Sequence, residues 1–427
     1  MDLIMYTLRS LSYIIVEPSL IIMLIILGVI FYSKNKKLVA MQRMIMGEGV
    51  NSPLELTLSQ IVLGIFAGIF ASIILSHLGV IFDENSGIEF LFMISILLMF
   101  IKPRLVCFSY SGSVLGLISL IFSYFNIKTS DGTNLFTLDI VMLMTFVGIL
   151  HIVEAFLVMI DGAKGAVPVF SNKEGKIIGG YALSRYWILP VAIFIAYKAV
   201  SQGGLGTESI GTPDWWPILR YDNVLNIIQS AILTLSPLFG VLGYSSLTFT
   251  RKKRDKAISS GLFILGYGIL LVLVAQLARF GLIGEIVVIV FAPLAHEIIL
   301  ILQRKIEEKR TPLFCSNEDG IAILDVVPYS KAYEIGLKAG DRIMSVNDKA
   351  INNEGDIYTI IKESLNNLNL KIKNKTGEIK EFSLKQENNK RLGLVLVPKF
   401  VDMGKIVSFE NDKFSEVLKN IKDKNKK

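Results

Sequence analysis

The chain has 427 residues, of which 52% are hydrophobic and 19% charged, and its mean hydropathy is +0.55. Long apolar runs produce this value, so the composition excludes an ordinary soluble globule and indicates a membrane protein. The 44 basic and 37 acidic side chains leave a net charge of +7. An excess of this sign is typical of the cytoplasmic loops of membrane proteins, and we expect no nucleic-acid partner.

Apolar runs long enough to cross a bilayer core of about 30 Å recur through residue 303. We predict an α-helical polytopic membrane bundle of about nine spans over residues 1–303. The pair at 88–124 is joined only by Lys102-Pro103-Arg104 and is either two spans or a re-entrant pair, which would leave seven. The runs lie at about 11–32, 57–82, 88–101, 105–124, 136–160, 186–200, 223–247, 257–277 and 282–302.

The loops between these runs alternate in charge. Lysine and arginine are concentrated after the first, third, fifth, seventh and ninth runs, whereas the intervening loops carry few of them. Basic loops stay on the cytoplasmic side of a bacterial membrane. The alternation therefore predicts an outside N-terminus and a cytoplasmic C-terminal part, which follows a basic linker at 304–311.

Ionisable side chains within the apolar runs are candidates for function, because their burial in lipid costs several kcal/mol unless they are paired. His151 and Glu154 are three residues apart and therefore lie on one helix face. They either form a hydrogen-bonded pair that joins two helices, or they line a proton or ion path or a metal site. The candidates are Asp139, His151, Glu154, His296 and Glu297.

His296-Glu297 resembles part of the zinc motif of intramembrane metalloproteases. That motif needs a second histidine four residues after the first, with the glutamate as base. Leu300 occupies that position, and Asp161-Gly162, which could imitate a distant aspartate motif, precedes the pair instead of following it. There is also no CxxC pair, P-loop or Ser-His-Asp spacing. We therefore expect no metal, no cofactor, no catalytic residue and no enzymatic activity.

The segment from Gly320 to Asn347 reads as a strand, one helical turn and a second strand. It contains the unbroken pattern G-L-x-x-G-D-x-I-x-x-V-N and resembles a bacterial PDZ domain. The resemblance implies a small α+β domain that binds peptides by adding a strand to a sheet edge. We place this domain at 312–400, before a lysine-rich tail at 401–427 that is frayed or forms a helix weakly attracted to the membrane. The pattern consists of Gly336, Leu337, Gly340, Asp341, Ile343, Val346 and Asn347.

The glycine loop with which PDZ domains hold a ligand's carboxylate is displaced in this sequence. No such glycine precedes Gly320, but the run from Arg391 to Val397 has the right form. Either the domain is circularly permuted and this run supplies the loop and the edge strand, or it is an ordinary closing strand. With permutation, backbone N–H groups of the loop face the carboxylate, an arginine adds charge, and two isoleucines of a helix at about 354–366 form an apolar wall. These residues are Leu392, Gly393, Leu394, Arg391, Ile357 and Ile361.

Two further stretches resemble the MinJ family of multispanning bacterial membrane proteins. They are HIVEAFLVMIDGAKGAVPVF, which begins at His151, and GKIIGGYALSRYWILPV, which ends at Val191. The resemblance implies a cytoplasmic PDZ domain and a topological role in division-site selection, in the bacterial cell membrane and enriched at the septum or poles. It also implies a bridge between a DivIVA-like coiled-coil protein and a MinD-like ATPase.

The leading hypothesis is therefore a membrane-anchored scaffold that binds partner proteins or peptides through its PDZ-like domain. One alternative is a transporter or channel with a regulatory PDZ domain, in which Glu154, Asp139 or His151 lines the path. Another is a degenerate intramembrane metalloprotease.

Overall fold

The computed structural model describes residues 3–47, 49–127, 136, 138–198, 212–351, 353–363, 367–385, 392–399 and 407–408. Helices dominate up to residue 309, and we call this part the membrane region. Its helices are α1 (Leu3–Val16), α2 (Pro18–Met46), α3 (Pro53–Leu78), α4 (Phe90–Ile101), α5 (Phe108–Tyr124), α6 (Ile140–Asp161), α7 (Asp222–Ser230), α8 (Lys253–Ala275) and α9 (Leu282–Lys309).

Four of the described helices are long and apolar enough to cross a membrane: α3, α6, α8 with the 3-10 turn that follows it, and α9. α1 and α2 meet at an angle of 70° and would add a fifth span if they cross as one bent unit. The break falls at Glu17 because Pro18, which lacks an N–H donor, suits the first position of the new helix. The helical membrane region predicted from composition is thus present, but the first predicted span is a broken helix.

The predicted helical spans at 186–200 and 223–247 are wrong, because both runs are mainly β-structure. Strand β3 (Lys176–Lys198) pairs antiparallel with β4 (Ala231–Thr248) from Tyr181 to its end at Lys198. The first residues of β3 also pair antiparallel with β2 (Val167–Lys173). Near the end of β3, β1 (Ile81–Asp83) pairs with it in parallel. A continuous apolar run does not distinguish a buried strand from a buried helix, which is why hydropathy failed here.

Helix α3 covers the backbone edge of β3. A Cβ on Gly64 would lie 2.2 Å from the Ile188 carbonyl oxygen, and one on Gly68 would lie 2.1 Å from that of Pro190. One turn further, Ser72 Oγ accepts a hydrogen bond of 2.9 Å from the Ala192 N–H. Pro190 has no N–H to leave unpaired on this edge. Small residues spaced by four therefore let the helix shield strand backbone that would be costly to expose to lipid.

Helices α4 and α5 are two short apolar helices that pack against each other. The rings of Phe90 at the start of α4 and Phe122 near the end of α5 both contact the ring of Phe136. α4 has 12 residues and α5 has 17, which correspond to about 18 and about 26 Å. Both are shorter than a bilayer core of about 30 Å. The re-entrant alternative is therefore the one that the lengths favour.

The C-terminal domain is built on one antiparallel sheet with the strand order β10-β9-β7-β6-β11, and β8 pairs with β7. Ser330 caps the short helix α10 by accepting from the Tyr333 N–H. The elements are β5 (Phe314–Cys315), β6 (Ile321–Val326), α10 (Lys331–Glu334), β7 (Arg342–Val346), β8 (Lys349–Ala350), α11 (Glu354–Glu363), β9 (Asn367–Lys373), β10 (Ile379–Lys385) and β11 (Leu394–Leu396). Of the tail the structure describes only β12 (Val407–Ser408), which pairs in parallel with β2.

Strand β6 is buried on both faces. Its alternate residues Ile321 and Ile323 pack in the core of the C-terminal domain, whereas Ala322 and Leu324 pack in the core of the membrane region. β5 also pairs with β3, placing Phe314 opposite Gly179. The C-terminal domain therefore docks directly on the base of the long hairpin of the membrane region.

Candidate functional site

The signature residues of the C-terminal domain hold its turns. Gly336 and Gly340 have φ of 84° and 96°, in the left-handed region that glycine adopts most readily. The Asp341 carboxylate accepts from the Lys338 N–H at 2.9 Å, and the Asn347 side chain accepts from the Asn369 N–H at 2.8 Å. Leu337 is buried in the domain core. These residues therefore shape the turns and the core of the domain.

The run around Gly393 forms the last strand of the domain and its edge. β11 pairs antiparallel with β6, with Leu394 opposite Val326, and no other described strand pairs with it. Gly393 precedes it with φ of 74°, and a Cβ there would lie 2.3 Å from the Ser330 Cβ. The Leu392 carbonyl accepts from the Ala332 N–H at 3.3 Å. A glycine turn followed by an edge strand is the arrangement that the permuted alternative requires.

The predicted apolar wall of the groove is only partly described. Ile357 is 1% exposed and packs in the domain core, where it joins Leu392, which is 8% exposed. Ile357 faces inward because it lies on the same helix stripe as buried Ile360. A ligand cannot touch Ile357 without local opening. Arg391 and the side chain of Ile361 lie outside the described residues.

Two polar contacts fix the C-terminal domain on the membrane region. The Tyr181 hydroxyl donates to the Leu324 carbonyl at 2.5 Å, and Lys253 Nζ lies 2.9 Å from Asp325 Oδ2. Burial, and then the nearby Asp325 carboxylate, raise the pKa of Tyr181, so its hydroxyl stays protonated and remains a donor. α2 also packs against β11, so the membrane region lines one side of the edge strand.

Three side chains from distant parts of the membrane region converge near the middle of α6. Cys107, the residue before α5, places its Sγ 3.0 Å from Nε2 of His151 in α6 and 3.5 Å from Nε2 of His296 in α9. The three potential ligand atoms lie within 4.8 Å of one another. The ring of Tyr267 in α8 packs edge-on against both imidazoles, with centroid distances of 4.9 and 5.5 Å. Motif spacing predicted no metal site, but the fold builds a set of residues that could hold one.

The remaining predicted intramembrane residues have different roles. Asp139 caps the start of α6 by accepting from the Met142 N–H, and it also accepts from the Tyr221 hydroxyl at 2.6 Å. Glu297 accepts from the Tyr110 hydroxyl at 2.5 Å. Glu154 is half-buried on α6. The predicted pairing of His151 with Glu154 is not what the structure has, since the described partners of His151 are Cys107 and the Val147 carbonyl.

A buried ion pair that the sequence reading missed lies at the end of α6. Asp161 accepts from the Arg185 guanidinium, with a distance of 2.8 Å from Nε, and from the Trp187 indole at 3.0 Å. Ser59 Oγ donates to the other carboxylate oxygen at 3.1 Å. Arg185 is among the basic residues that follow the fifth apolar run, and its place directly before the apolar run at 186–200 was the signal that could have identified it.

The fold and site together define a class: a membrane protein with a docked C-terminal PDZ domain. Residues 323–373 match the PDZ-domain family. The chain is 24% identical over 245 residues to the cell division topological determinant MinJ of Bacillus subtilis (strain 168), a match that covers 55% of each chain. It is 29% identical over 83 residues to the probable cell division topological determinant MinJ of Lacticaseibacillus paracasei, covering 19% of this chain and 23% of that protein.

By these matches and by its PDZ domain, the chain is similar to the MinJ-like family. The matched region spans about half of the length of the Bacillus relative and less of the Lacticaseibacillus one. No solved structure matches the chain.

Proposed function

We propose that the chain is a non-catalytic, membrane-anchored scaffold that recruits division-site proteins through its PDZ domain. The observation that carries this proposal is the edge strand β11, which follows the positive-φ turn at Gly393 and has no described strand on its outer side. An extended peptide end could pair with this edge while the loop N–H groups bind its carboxylate.

The docking of the PDZ domain on the membrane region supports a scaffold whose binding domain is held firmly by its membrane-spanning part. Because β6 packs on both the domain core and the membrane region, a partner bound at β11 is held close to the bilayer. The alternation of basic loops supports a cytoplasmic position for this domain. On that side the partners would be a DivIVA-like coiled coil and a MinD-like ATPase, with enrichment at the septum or poles.

The test is site-specific photo-crosslinking in cells with the full chain. A photo-reactive residue at Leu394, on the edge strand, should capture a partner, whereas one at Ile379, on the opposite edge of the sheet, should not. Capture at Leu394 should be competed by a peptide with a free C-terminal carboxylate but not by its amidated form. Equal capture at both positions, or none at either, would contradict the proposal, as would even fluorescence of a tagged chain around the whole membrane.

A transporter or channel makes the opposite prediction. Its path would use Glu154, Asp139 or His151, so Glu154→Gln should abolish function. A scaffold should keep its localisation and its partner capture with this substitution, because Glu154 lies on α6 of the membrane region and not in the PDZ domain. In the described residues Asp139 acts as a helix cap, which favours the scaffold.

A further inference from the structure

The chain has three histidines and two cysteines. Two of the histidines and one cysteine meet in one cluster: His151, His296 and Cys107. Cys107 is separated from His151 by 44 residues and from His296 by 189, so no local motif brings them together. Thiolate sulfur and imidazole nitrogen are the donors that zinc prefers in proteins. The convergence of these three side chains is the first indication of a ligand.

The hydrogen bonds around His151 fix which ring nitrogen faces the cluster. Nδ1 lies 2.8 Å from the Val147 carbonyl oxygen, which can only accept, so Nδ1 carries the proton. Nε2 therefore presents its lone pair toward Cys107 Sγ. A backbone carbonyl that orients the outer nitrogen is the usual support of a metal-binding histidine.

The His296 ring also turns its Nε2 toward the cluster, but its Nδ1 is held by a side chain instead of a backbone carbonyl. The Tyr110 hydroxyl donates to Glu297, so its oxygen is left to accept from His296 Nδ1 at 3.2 Å. Nε2 of His296 then also directs a lone pair at the cysteine. This chain of hydrogen bonds from His296 through Tyr110 to the Glu297 carboxylate raises the basicity of the imidazole as a metal ligand.

The distances fit a tetrahedral ion after small side-chain movements. With Zn–S of about 2.3 Å and Zn–N of about 2.0–2.1 Å, tetrahedral geometry separates sulfur from nitrogen by about 3.6 Å. The two observed separations are 3.0 and 3.5 Å. One thiolate leaves a divalent ion with a single positive charge, and Glu154, one turn from His151, is a carboxylate that can offset it.

We propose that Cys107, His151 and His296 bind one zinc ion inside the membrane region. The ion would join the start of α5 to α6 and α9 and so hold the re-entrant pair in place. Three protein ligands leave a fourth position for water or a carboxylate.

The test is metal analysis of the full chain, purified without a histidine tag and without chelators. We expect about one zinc per chain, falling at least roughly tenfold in Cys107→Ser and His296→Gln. Cys315→Ser and His77→Gln are matched controls, because these residues lie outside the cluster, and they should keep the metal. Wild-type protein without stoichiometric zinc, zinc retained in the cluster variants, or copper or iron in its place would each overturn the proposal.

A second measurement covers the case in which the cluster variants fail to fold. Tyr110→Phe keeps all three ligands but removes the outer partner of His296, so zinc affinity should fall by about 10–100-fold in competition with a chromophoric chelator. Cobalt added to chelator-treated wild-type chain should give a thiolate charge-transfer band, and Cys315→Ser should retain it. An unchanged affinity in Tyr110→Phe would mean that zinc binds away from this cluster. Absence of the band in wild type would mean that Cys107 is not a ligand, and either result would overturn the proposal.

Discussion

Asp161 and Arg185 are almost completely inaccessible to solvent, at 0% and 1% side-chain exposure. Burying two charges is tolerable only if each has a partner and further hydrogen bonds, which Ser59 and Trp187 supply. The pair therefore links α6 to the start of the β3–β4 hairpin and to α3. The pair matters for stability mainly because loss of either partner would leave the other charge buried without a counter-ion.

We expect Asp161→Asn to destabilise the protein by about 3–5 kcal/mol, since it leaves the Arg185 charge buried without a counter-ion. The measurement is the free energy of unfolding of the full chain in detergent. Lys164→Gln is the matched control, because Lys164 reaches the same carboxylate at 3.6 Å from a half-exposed position and should cost under about 1 kcal/mol. Equal losses for both variants would argue against a buried, obligatory pair.

At the scale of elements, the contact between α3 and β3 decides how a long strand can lie in an apolar region. Gly64 and Gly68 bring the helix within contact of strand carbonyls, and Ser72 pairs with a strand N–H. A side chain at either glycine would separate the two elements and expose the strand edge. The spacing of four residues places all three on one helix face.

Gly68→Ala should therefore destabilise the membrane region by about 1–3 kcal/mol, the cost of overpacking a close contact. Gly266→Ala in α8 is the control, since a Cβ there meets nothing within 4 Å. It should be neutral or stabilising by up to about 1 kcal/mol, because alanine favours helix more than glycine does. Thermal unfolding of both variants in the same detergent gives the comparison, and a stable Gly68→Ala protein would refute the tight contact.

For the whole molecule, the central feature is that the PDZ domain and the membrane region share a core. Leu324 packs against the membrane region while its carbonyl accepts from Tyr181, and Phe314 lies edge-on to the same tyrosine ring at 5.7 Å. The domain therefore moves with its anchor. An isolated C-terminal fragment would expose this apolar face, which is why tests of binding need the full chain.

Tyr181→Phe removes the hydroxyl and leaves the buried Leu324 carbonyl without this donor, so we expect local opening at the junction to become easier by about 1–3 kcal/mol. Hydrogen exchange of the β5 and β6 amides reports this opening. Tyr333→Phe is the control, because Tyr333 is exposed on α10 and its loss of a hydroxyl should leave these amides unchanged. Unaltered exchange in Tyr181→Phe would mean that the hydroxyl does not hold the domain.

The sequence alone determined the features that depend on neighbouring residues. The apolar runs of α3, α6, α8 and α9 required helices or strands buried from water, and the turn glycines from Gly336 to Gly340 defined the PDZ domain because positive φ is a local property. The glycine turn before β11 was also visible as a pattern, although its place at a sheet edge was left open.

Only the tertiary structure decided between strand and helix for the runs that became β3 and β4. A helix and a strand bury apolar side chains equally well, and a strand forms here because its backbone has hydrogen-bonding partners at its edges. It alone brought Cys107 to His151 and His296, and Asp161 to Arg185. Contacts between residues so far apart in sequence arise from packing of whole elements, and no spacing in the chain encodes them.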